Sequence, residues 1–138
     1  VKINITLTNL TIIYRLKRYF SAAPAEIRAA IFPYNFKLNS SLLQKLIDAP
    51  SIGDFFDEFA KSYYGINDKF ENSLEFEHHL YEIIYKYNKK LLRFSTSSPA
   101  VMYAFIILNS IEVKNITRIV EGIRYQVPSS QIEQLLIL

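Results

Sequence analysis

Cysteine is absent from this sequence of 138 residues, and only three glycines are present, Gly53, Gly65 and Gly122. Without cysteine there is no disulfide, no thiol nucleophile and no thiolate zinc site. Glycines at these positions cannot form G-x-x-x-x-G-K-[ST] or G-x-G-x-x-G, so the P-loop and the Rossmann phosphate-binding loop are excluded. Enzymes that depend on these sites are therefore excluded.

Long apolar runs and a large excess of one charge are also missing. The longest apolar stretch, 101–108, has 8 residues, whereas a membrane-spanning helix needs about 20. Sixteen basic and 13 acidic residues give a net charge of +3, which is weak support for a nucleic-acid partner. We expect neither a transmembrane span nor a nucleic-acid ligand. Because the sequence begins at Val1 without methionine or a leader pattern, we expect a piece of a longer chain.

Hydrophobic residues make up 50% of the sequence, and ten tyrosines and ten phenylalanines are among them. This balance is typical of a folded domain with large aromatic side chains in its core. No linker is long or polar enough to separate domains. We therefore predict a single domain over residues 1–138.

Apolar residues recur at three- and four-residue intervals along nearly the whole chain, which predicts an all-α fold of about seven helices. The first helix is expected to end near Phe20, and a strand is the alternative for its first eight residues because many are β-branched. A turn is expected at 65–68. The other helices are expected at 24–32, 41–49, 52–64, 70–94, 99–126 and 131–138, with 70–94 and 99–126 long and amphipathic.

Two parts of the chain resemble each other in sequence. An offset of 106 positions (115 − 9) pairs Asn9 with Asn115, Thr11 with Thr117, Ile13 with Ile119, Arg18 with Arg124 and Tyr19 with Tyr125, and it sets Ile116 opposite Leu10. Each copy continues through a proline into a short apolar helix, AEIRAAIF or SQIEQLLI, with a slip of one residue. The recurrence indicates one repeat of about 105 residues and the opening of the next.

The second copy, SIEVKNITRIVEGIRYQVPSSQIEQLLIL, resembles the carboxy-terminal E-x-x-N-[IL]-x-x-I…G motif of the V/A-type ATPase subunit called C in archaea and bacteria and d in eukaryotes. Residues 8–65 resemble the recurring segment of that family, with N-x-x-x-x-x-R-x-K, a short helix, a proline turn and a helix pair. The residues that carry the motifs are Asn9, Arg15, Glu112, Asn115, Ile119 and Gly122. Thr6 replaces an acidic residue of the family, and Gln126-Val127 stands where many members have a glycine.

The resemblance implies a non-catalytic rotor subunit, without cofactor, metal or active site. Members of the family are helical sockets of three pseudo-repeats that lie peripherally on the cytoplasmic face of the membrane proteolipid ring. The socket receives the central-stalk subunits D and F and transmits torque. The alternative is a helical binding module that recognises an acidic protein or nucleic acid. A stand-alone enzyme is the third reading, and no complete catalytic constellation supports it.

Glu112 and Asn115 fall on one predicted seam of the second long helix, together with Leu108, Ile119 and Gly122. Polar groups among core positions must be hydrogen-bonded or paired. We expect Glu112 to be buried and to accept hydrogen bonds from a basic residue, with Arg15 as the best candidate, or from backbone donors of a neighbouring helix. Gly122 is expected to allow a close helix crossing. A role for Glu112 as an ion carrier is not favoured, because nothing here spans a membrane.

Two clusters combine basic and aromatic residues. The basic members are Arg15, Lys17 and Arg18 in the first helix, and Lys86, Lys89, Lys90 and Arg93 in the first long amphipathic helix. They could contact the stalk or lipid headgroups, an acidic protein, or stacked bases of single-stranded nucleic acid. A helix with one buried aromatic side and one solvated basic side gives the same pattern.

One E-x-x-H pattern, Glu75 to His78, is followed by His79. A carboxylate metal site needs a second E-x-x-H and further glutamates, so we expect a solvated face and no metal. The carboxylates of Asp54, Asp57 and Glu58 suit a helix start and lie within reach of Lys61. We expect no catalytic role for them.

Overall fold

A computed structural model describes residues 2–65, 70 and 73–138, and all regular secondary structure in these ranges is helical. The helices are α1 (Lys2–Phe20), α2 (Pro24–Ala30), α3 (Ser40–Asp48), α4 (Ile52–Ala60), α5 (Ser73–Phe94), α6 (Ser98–Arg124) and α7 (Ser129–Leu135). The predicted all-α class is confirmed, and α1 is helical where a strand was the alternative. Positions 66–68 of the predicted turn, and 71 and 72 of the helix predicted at 70–94, lie outside the described residues.

The chain divides into two compact units, with the boundary inside α5. Unit 1 is Val1–Leu80 and contains α1 to α4 and the beginning of α5. Unit 2 is Tyr81–Leu138 and contains the rest of α5 with α6 and α7. The single domain over 1–138 stays a prediction.

The core of unit 1 is built around α1. Its buried apolar residues are Ile3, Leu7, Leu10, Ile13 and Tyr14. α1 packs against α2 and α4, and α3 packs against the same two helices. The Tyr14 ring centroid lies 5.9 Å from that of Phe55 and 4.7 Å from that of Phe76. These tilted contacts bury large aromatic surfaces and fix the start of α5 to the rest of the unit.

The short helices of unit 1 begin at local sequence signals. The Asn39 side chain accepts a hydrogen bond from the Ser41 N–H at 3.1 Å and caps α3. The Ser51 hydroxyl accepts from the Asp54 N–H at 3.1 Å and caps α4. Pro24 lies in the first turn of α2, where its missing N–H costs nothing.

In unit 2, α6 and α7 cross closely. A Cβ atom at Gly122 would lie 2.6 Å from the Ile132 Cδ1, so the close crossing expected at Gly122 is present. The last turn of α6 is closed by hydrogen bonds from Gln126 and Val127, of which the Val127 N–H donates to the Gly122 carbonyl at 2.9 Å. Gln126 has a φ of 56°, a conformation that usually selects glycine. The departure from the family pattern at Gln126 therefore falls on a left-handed residue.

Candidate functional site

Asn9 joins α1 to the segment that follows α2. Its Nδ2 donates to the Phe32 carbonyl at 2.9 Å, and its Oδ1 accepts from the Phe32 N–H at 2.9 Å. Nδ2 also lies 3.3 Å from the Tyr34 carbonyl oxygen and 3.2 Å from Asn35 Oδ1. Because Asn9 is fully buried, its amide depends on these partners for its hydrogen bonds.

Asn115 makes the same pair of hydrogen bonds in unit 2. Its Nδ2 donates to the Ile137 carbonyl at 2.7 Å, and its Oδ1 accepts from the Ile137 N–H at 3.1 Å. Ile137 lies 22 positions after Asn115 in the sequence, and Phe32 lies 23 positions after Asn9. We call the two arrangements the amide clamps. Asn115 differs from Asn9 in being only half-buried.

The elements beside the two clamps correspond as well. α2 and α7 each have 7 residues, and their buried Ile27 and Ile132 are 105 positions apart (132 − 27). Ser21 after α1 and Gln126 after α6 both have a positive φ, at 47° and 56°. The change of offset from 106 to 105 therefore falls between Tyr19 and Ser21, where the first copy has one residue more.

Glu112 lines a groove of about 390 Å³ in unit 2, together with Lys89, Arg93 and Asn115. Glu112 is exposed, so the prediction of a buried, paired carboxylate is wrong. A carboxylate beside an open groove keeps its hydration and needs no buried partner.

Arg15, the predicted partner of Glu112, forms a bidentate ion pair with Glu77 in unit 1. Arg15 Nε lies 2.8 Å from Oε1 of Glu77, and Nη2 lies 2.6 Å from Oε2. The Arg15 side chain is 52% exposed. Because it is solvated, the pair contributes about 1 kcal/mol or less to stability.

The basic residues of α5 form an exposed surface, which we call the α5 basic face: Lys86, Lys89, Lys90 and Arg93. Lys86 Nζ lies 2.9 Å from a carboxylate oxygen of Glu82. Lys89 Nζ lies over the Tyr85 ring, 4.9 Å from its centroid. Charges held on the helix surface in this way remain available to an anionic partner.

The basic residues of α1 differ from one another. Arg18 is exposed, whereas Lys17 Nζ donates to the carbonyls of Ile47 and Ala49 at 2.6 and 2.7 Å and so closes the C-terminal end of α3. Burial lowers the pKa of Lys17, and the nearby Asp48 carboxylate opposes this effect. The position of Lys17 gives it a structural role, and its predicted partner contact stays a prediction.

Two residues of the acidic and histidine motifs, Glu58 and His79, make contacts within unit 1. Glu58 and Lys61 form an ion pair at 2.6 Å, and the hydrogen bond from Lys61 lowers the pKa of Glu58. His79 is half-buried rather than solvated, with its Nε2 at 2.9 Å from the Tyr64 carbonyl oxygen. Within the described ranges, no three histidine, aspartate or glutamate side chains are grouped in a way that could hold a metal ion.

α6 presents an exposed apolar face that the sequence reasoning missed. We call it the α6 stripe: Met102, Phe105, Ile106, Val113, Ile116, Val120 and Ile123. Ile119 lies at its edge and is 36% exposed, so this motif residue is not in the core as expected. α6 has apolar residues on nearly all sides, and periodicity alone does not show which side is covered.

A sequence model of the family described as ATP synthase (C/AC39) subunit matches residues 1–135. The chain belongs to this family. No curated protein and no solved structure matches the chain.

The ATP synthase (C/AC39) subunit family is the family that the motif around Glu112 and Asn115 resembles, so the resemblance is confirmed. The chain is thus a subunit of a V/A-type ATP synthase, a membrane-associated complex. In the part of the chain that the structure describes, no helix is long and apolar enough to cross a membrane.

Proposed function

We propose that the chain is a non-catalytic coupling element of the V/A-type ATP synthase that links the central stalk to the proteolipid ring. The match to the ATP synthase (C/AC39) subunit family over residues 1–135 carries this proposal. Its partners are the stalk subunits D and F and the ring, and it lies peripherally at the cytoplasmic face of the membrane. Torque then passes through packed helices, because a close-packed interior is hard to compress and transmits strain.

The α5 basic face supports a partner contact, because its four cations are exposed on one helix. An acidic surface of the stalk, or anionic headgroups beside the ring, complements these charges. Arg15, Lys17 and Arg18 are secondary candidates, since two of them already hold contacts inside unit 1. Asn9 and Asn115 act as structural residues that hold the segments after α2 and α7, and Gly122 allows the close crossing of α6 and α7.

The proposal is tested by capture from gently solubilised membranes of the source organism with the tagged full chain as bait. D, F or the proteolipid should be recovered at low salt, with a decrease at moderate salt because exposed charge pairs are screened. The double variant Lys89→Glu/Lys90→Glu should lose most of this recovery. Lys2→Glu/Lys45→Glu is the control, since it makes the same change in net charge at exposed positions elsewhere.

Recovery of nucleic acid or unrelated acidic proteins by well-folded bait, without D, F or the proteolipid, would contradict the coupling proposal. That result would favour the alternative, a helical module that binds acidic partners through its basic aromatic surface. A steep loss of oligonucleotide binding with salt would identify nucleic acid as the ligand.

A further inference from the structure

The exposed side of α6 has the residue spacing of a coiled coil. Six residues of the α6 stripe and Asn109 follow one another at alternating steps of four and three positions: Met102, Ile106, Asn109, Val113, Ile116, Val120 and Ile123. This period of 3.5 residues keeps one helix face turned toward a partner helix. In heptad notation, positions a are Ile106, Val113 and Val120, and positions d are Met102, Asn109, Ile116 and Ile123. The six apolar residues are between 52% and 68% exposed, so this face is open to solvent.

The other side of α6 holds the contacts within unit 2. Ala104 and Ile111 occupy positions f and are buried. Asn115 and Gly122 occupy positions c, where the first forms its amide clamp and the second lies against Ile132. Because position f lies opposite the a and d positions of a helix, a partner helix can bind the exposed face without displacing α7.

The surroundings of the exposed face favour a helix over a lipid surface as its partner. An apolar face of this length is characteristic of contact with a protein or a membrane. Exposed residues of both charges flank it on α6, namely Glu112, Lys114, Glu121 and Arg124. A helix that lies on an anionic membrane has basic residues along its polar face instead.

Asn109 is the polar residue of the seam, and it favours a second copy of α6 as the partner. In a parallel, in-register pair of α6 helices, each d residue faces its own counterpart, so the two Asn109 amides can donate to and accept from each other. In an antiparallel pair, d residues face a residues, which are all apolar here. A shift by one heptad places Asn109 opposite Met102 or Ile116. Both alternatives leave a polar amide without a partner among apolar side chains, which costs stability.

The flanking positions are compatible with this parallel pairing. Glu112 at position g faces Thr117 at position e of the second helix, and Arg124 at position e faces Ile119 at position g. No two like charges are therefore brought together across the interface. The a positions are all β-branched, which favours two strands, and the mixed d positions do not have the isoleucine pattern of trimers.

We propose that two copies of the chain associate through the α6 stripe and Asn109 as a parallel, in-register, two-stranded coiled coil. The two Asn109 side chains form a hydrogen-bonded pair inside the seam. Because three heptads make a small interface, the dissociation constant is about 1–100 µM. Well below this concentration the chain is a monomer with its stripe open to solvent.

Sedimentation equilibrium of the full chain, from about 1 to 300 µM, measures this association. Val113→Lys should weaken it about tenfold or more, because it places two ammonium groups opposite each other in an apolar seam. Glu121→Lys is the matched control. It introduces the same residue with a larger change in charge, but at an exposed b position away from the seam, so the dissociation constant should change less than about twofold.

Cross-linking tests the register, because the chain has no cysteine of its own. In the parallel, in-register dimer, Met102→Cys places the two introduced thiols opposite each other, within reach of a disulfide. In an antiparallel dimer they would lie more than about 30 Å apart. Under mild oxidation, Met102→Cys should form disulfide-linked dimers at least about tenfold faster than Glu121→Cys, whose thiols lie on the outer sides of the pair.

Urea unfolding of each variant, at a concentration at which the chain is monomeric, shows that the fold is retained, as expected for changes at exposed positions. The proposal is overturned if the chain stays monomeric throughout the concentration range, if Val113→Lys associates equally well, or if the two cysteine variants cross-link at equal rates. Assembly of three copies, or binding of anionic lipid vesicles in place of self-association, would also overturn it.

This inference depends on the spacing and exposure of residues in α6 and not on the proposed coupling function. Self-association is measured with the purified chain alone, whereas capture of D and F depends on the α5 basic face. Either experiment can therefore fail while the other succeeds.

Discussion

Asn9 and Asn115 make the same two hydrogen bonds to a backbone peptide but differ in burial. Asn9 is 0% exposed, so its amide has no access to water. Asn115 is half-buried, and water can replace part of its contribution. The same residue therefore contributes differently to stability in the two units.

Replacing Asn9 with leucine should lower the free energy of unfolding by about 2–4 kcal/mol, because the Phe32 N–H and carbonyl lose their partner inside the unit. Asn115→Leu should cost about half as much, because solvent reaches its site. Urea unfolding of both variants measures the two losses. Losses below about 1 kcal/mol in both would contradict the structural role of the amide clamps.

Lys17 gives a prediction that depends on pH. Lys17→Met should lose about 1–3 kcal/mol at pH 7, because the last carbonyls of α3 lose a charged donor. Burial lowers the pKa of Lys17 below 10.5, so the unfolded chain binds the proton more tightly. The stability advantage of the unmodified chain over Lys17→Met should therefore grow as the pH rises from the folded pKa through 10.5.

Urea unfolding of the unmodified chain and of Lys17→Met at several pH values between 7 and 10.5 measures this difference. If the stability advantage of the unmodified chain shrinks as the pH rises, the folded state favours the charged form of Lys17. The carbonyls of Ile47 and Ala49 would then outweigh burial.

At the residue scale, apolar spacing predicted that Glu112 is buried, but Glu112 is exposed, whereas Asn9 at similar spacing is buried. Both lie at helical spacing with apolar neighbours. The segment that follows α2 bonds to Asn9, whereas Glu112 borders an open groove. Periodicity identifies a face that could be buried, but only the packing partner decides whether it is.

At the element scale, apolar spacing and turn residues predicted the helices because each of these signals is local. The helix expected at 99–126 is observed at Ser98–Arg124, and the last one is at Ser129–Leu135. The α6 stripe was missed because apolar residues on both sides of α6 leave a weak periodic signal. Long-range pairs such as Arg15 with Glu77, 62 positions apart, have no local signal at all.

The turn after α4 provides a matched pair of glycine variants. A Cβ atom at Gly65 would lie 2.5 Å from the carbonyl oxygens of Phe59 and Ala60. Because backbone oxygens cannot move aside easily, Gly65→Ala should lower stability by about 1–3 kcal/mol.

Gly53 lies inside α4, and the nearest atom to its added Cβ is Ser51 Oγ at 3.6 Å. Gly53→Ala should therefore raise stability by about 0.5–1 kcal/mol through helix propensity. Thermal unfolding of the two variants compares them directly. Equal effects of the same sign would show that the turn at Gly65 does not have the close contacts described here.

At the scale of the whole molecule, the family was predictable because its motif residues recur in order along almost the entire chain. Residues 1–135 match the ATP synthase (C/AC39) subunit family. The partner surfaces were only partly predictable. The α5 basic face was proposed from charge alone, whereas the α6 stripe became visible only when its exposure was compared with the burial of α1.

The central claim is that one helix face is covered in α1 and open in α6. Because the chain has no cysteine, single variants Leu10→Cys and Ile116→Cys report the two corresponding positions directly. The rate of reaction with a thiol reagent, measured under native conditions at a concentration at which the chain is monomeric, should be close to that of the unfolded chain for Ile116→Cys. For Leu10→Cys it should be slower by at least about a hundredfold, because the thiol reacts only when the unit opens. Equal protection at the two positions would contradict the account.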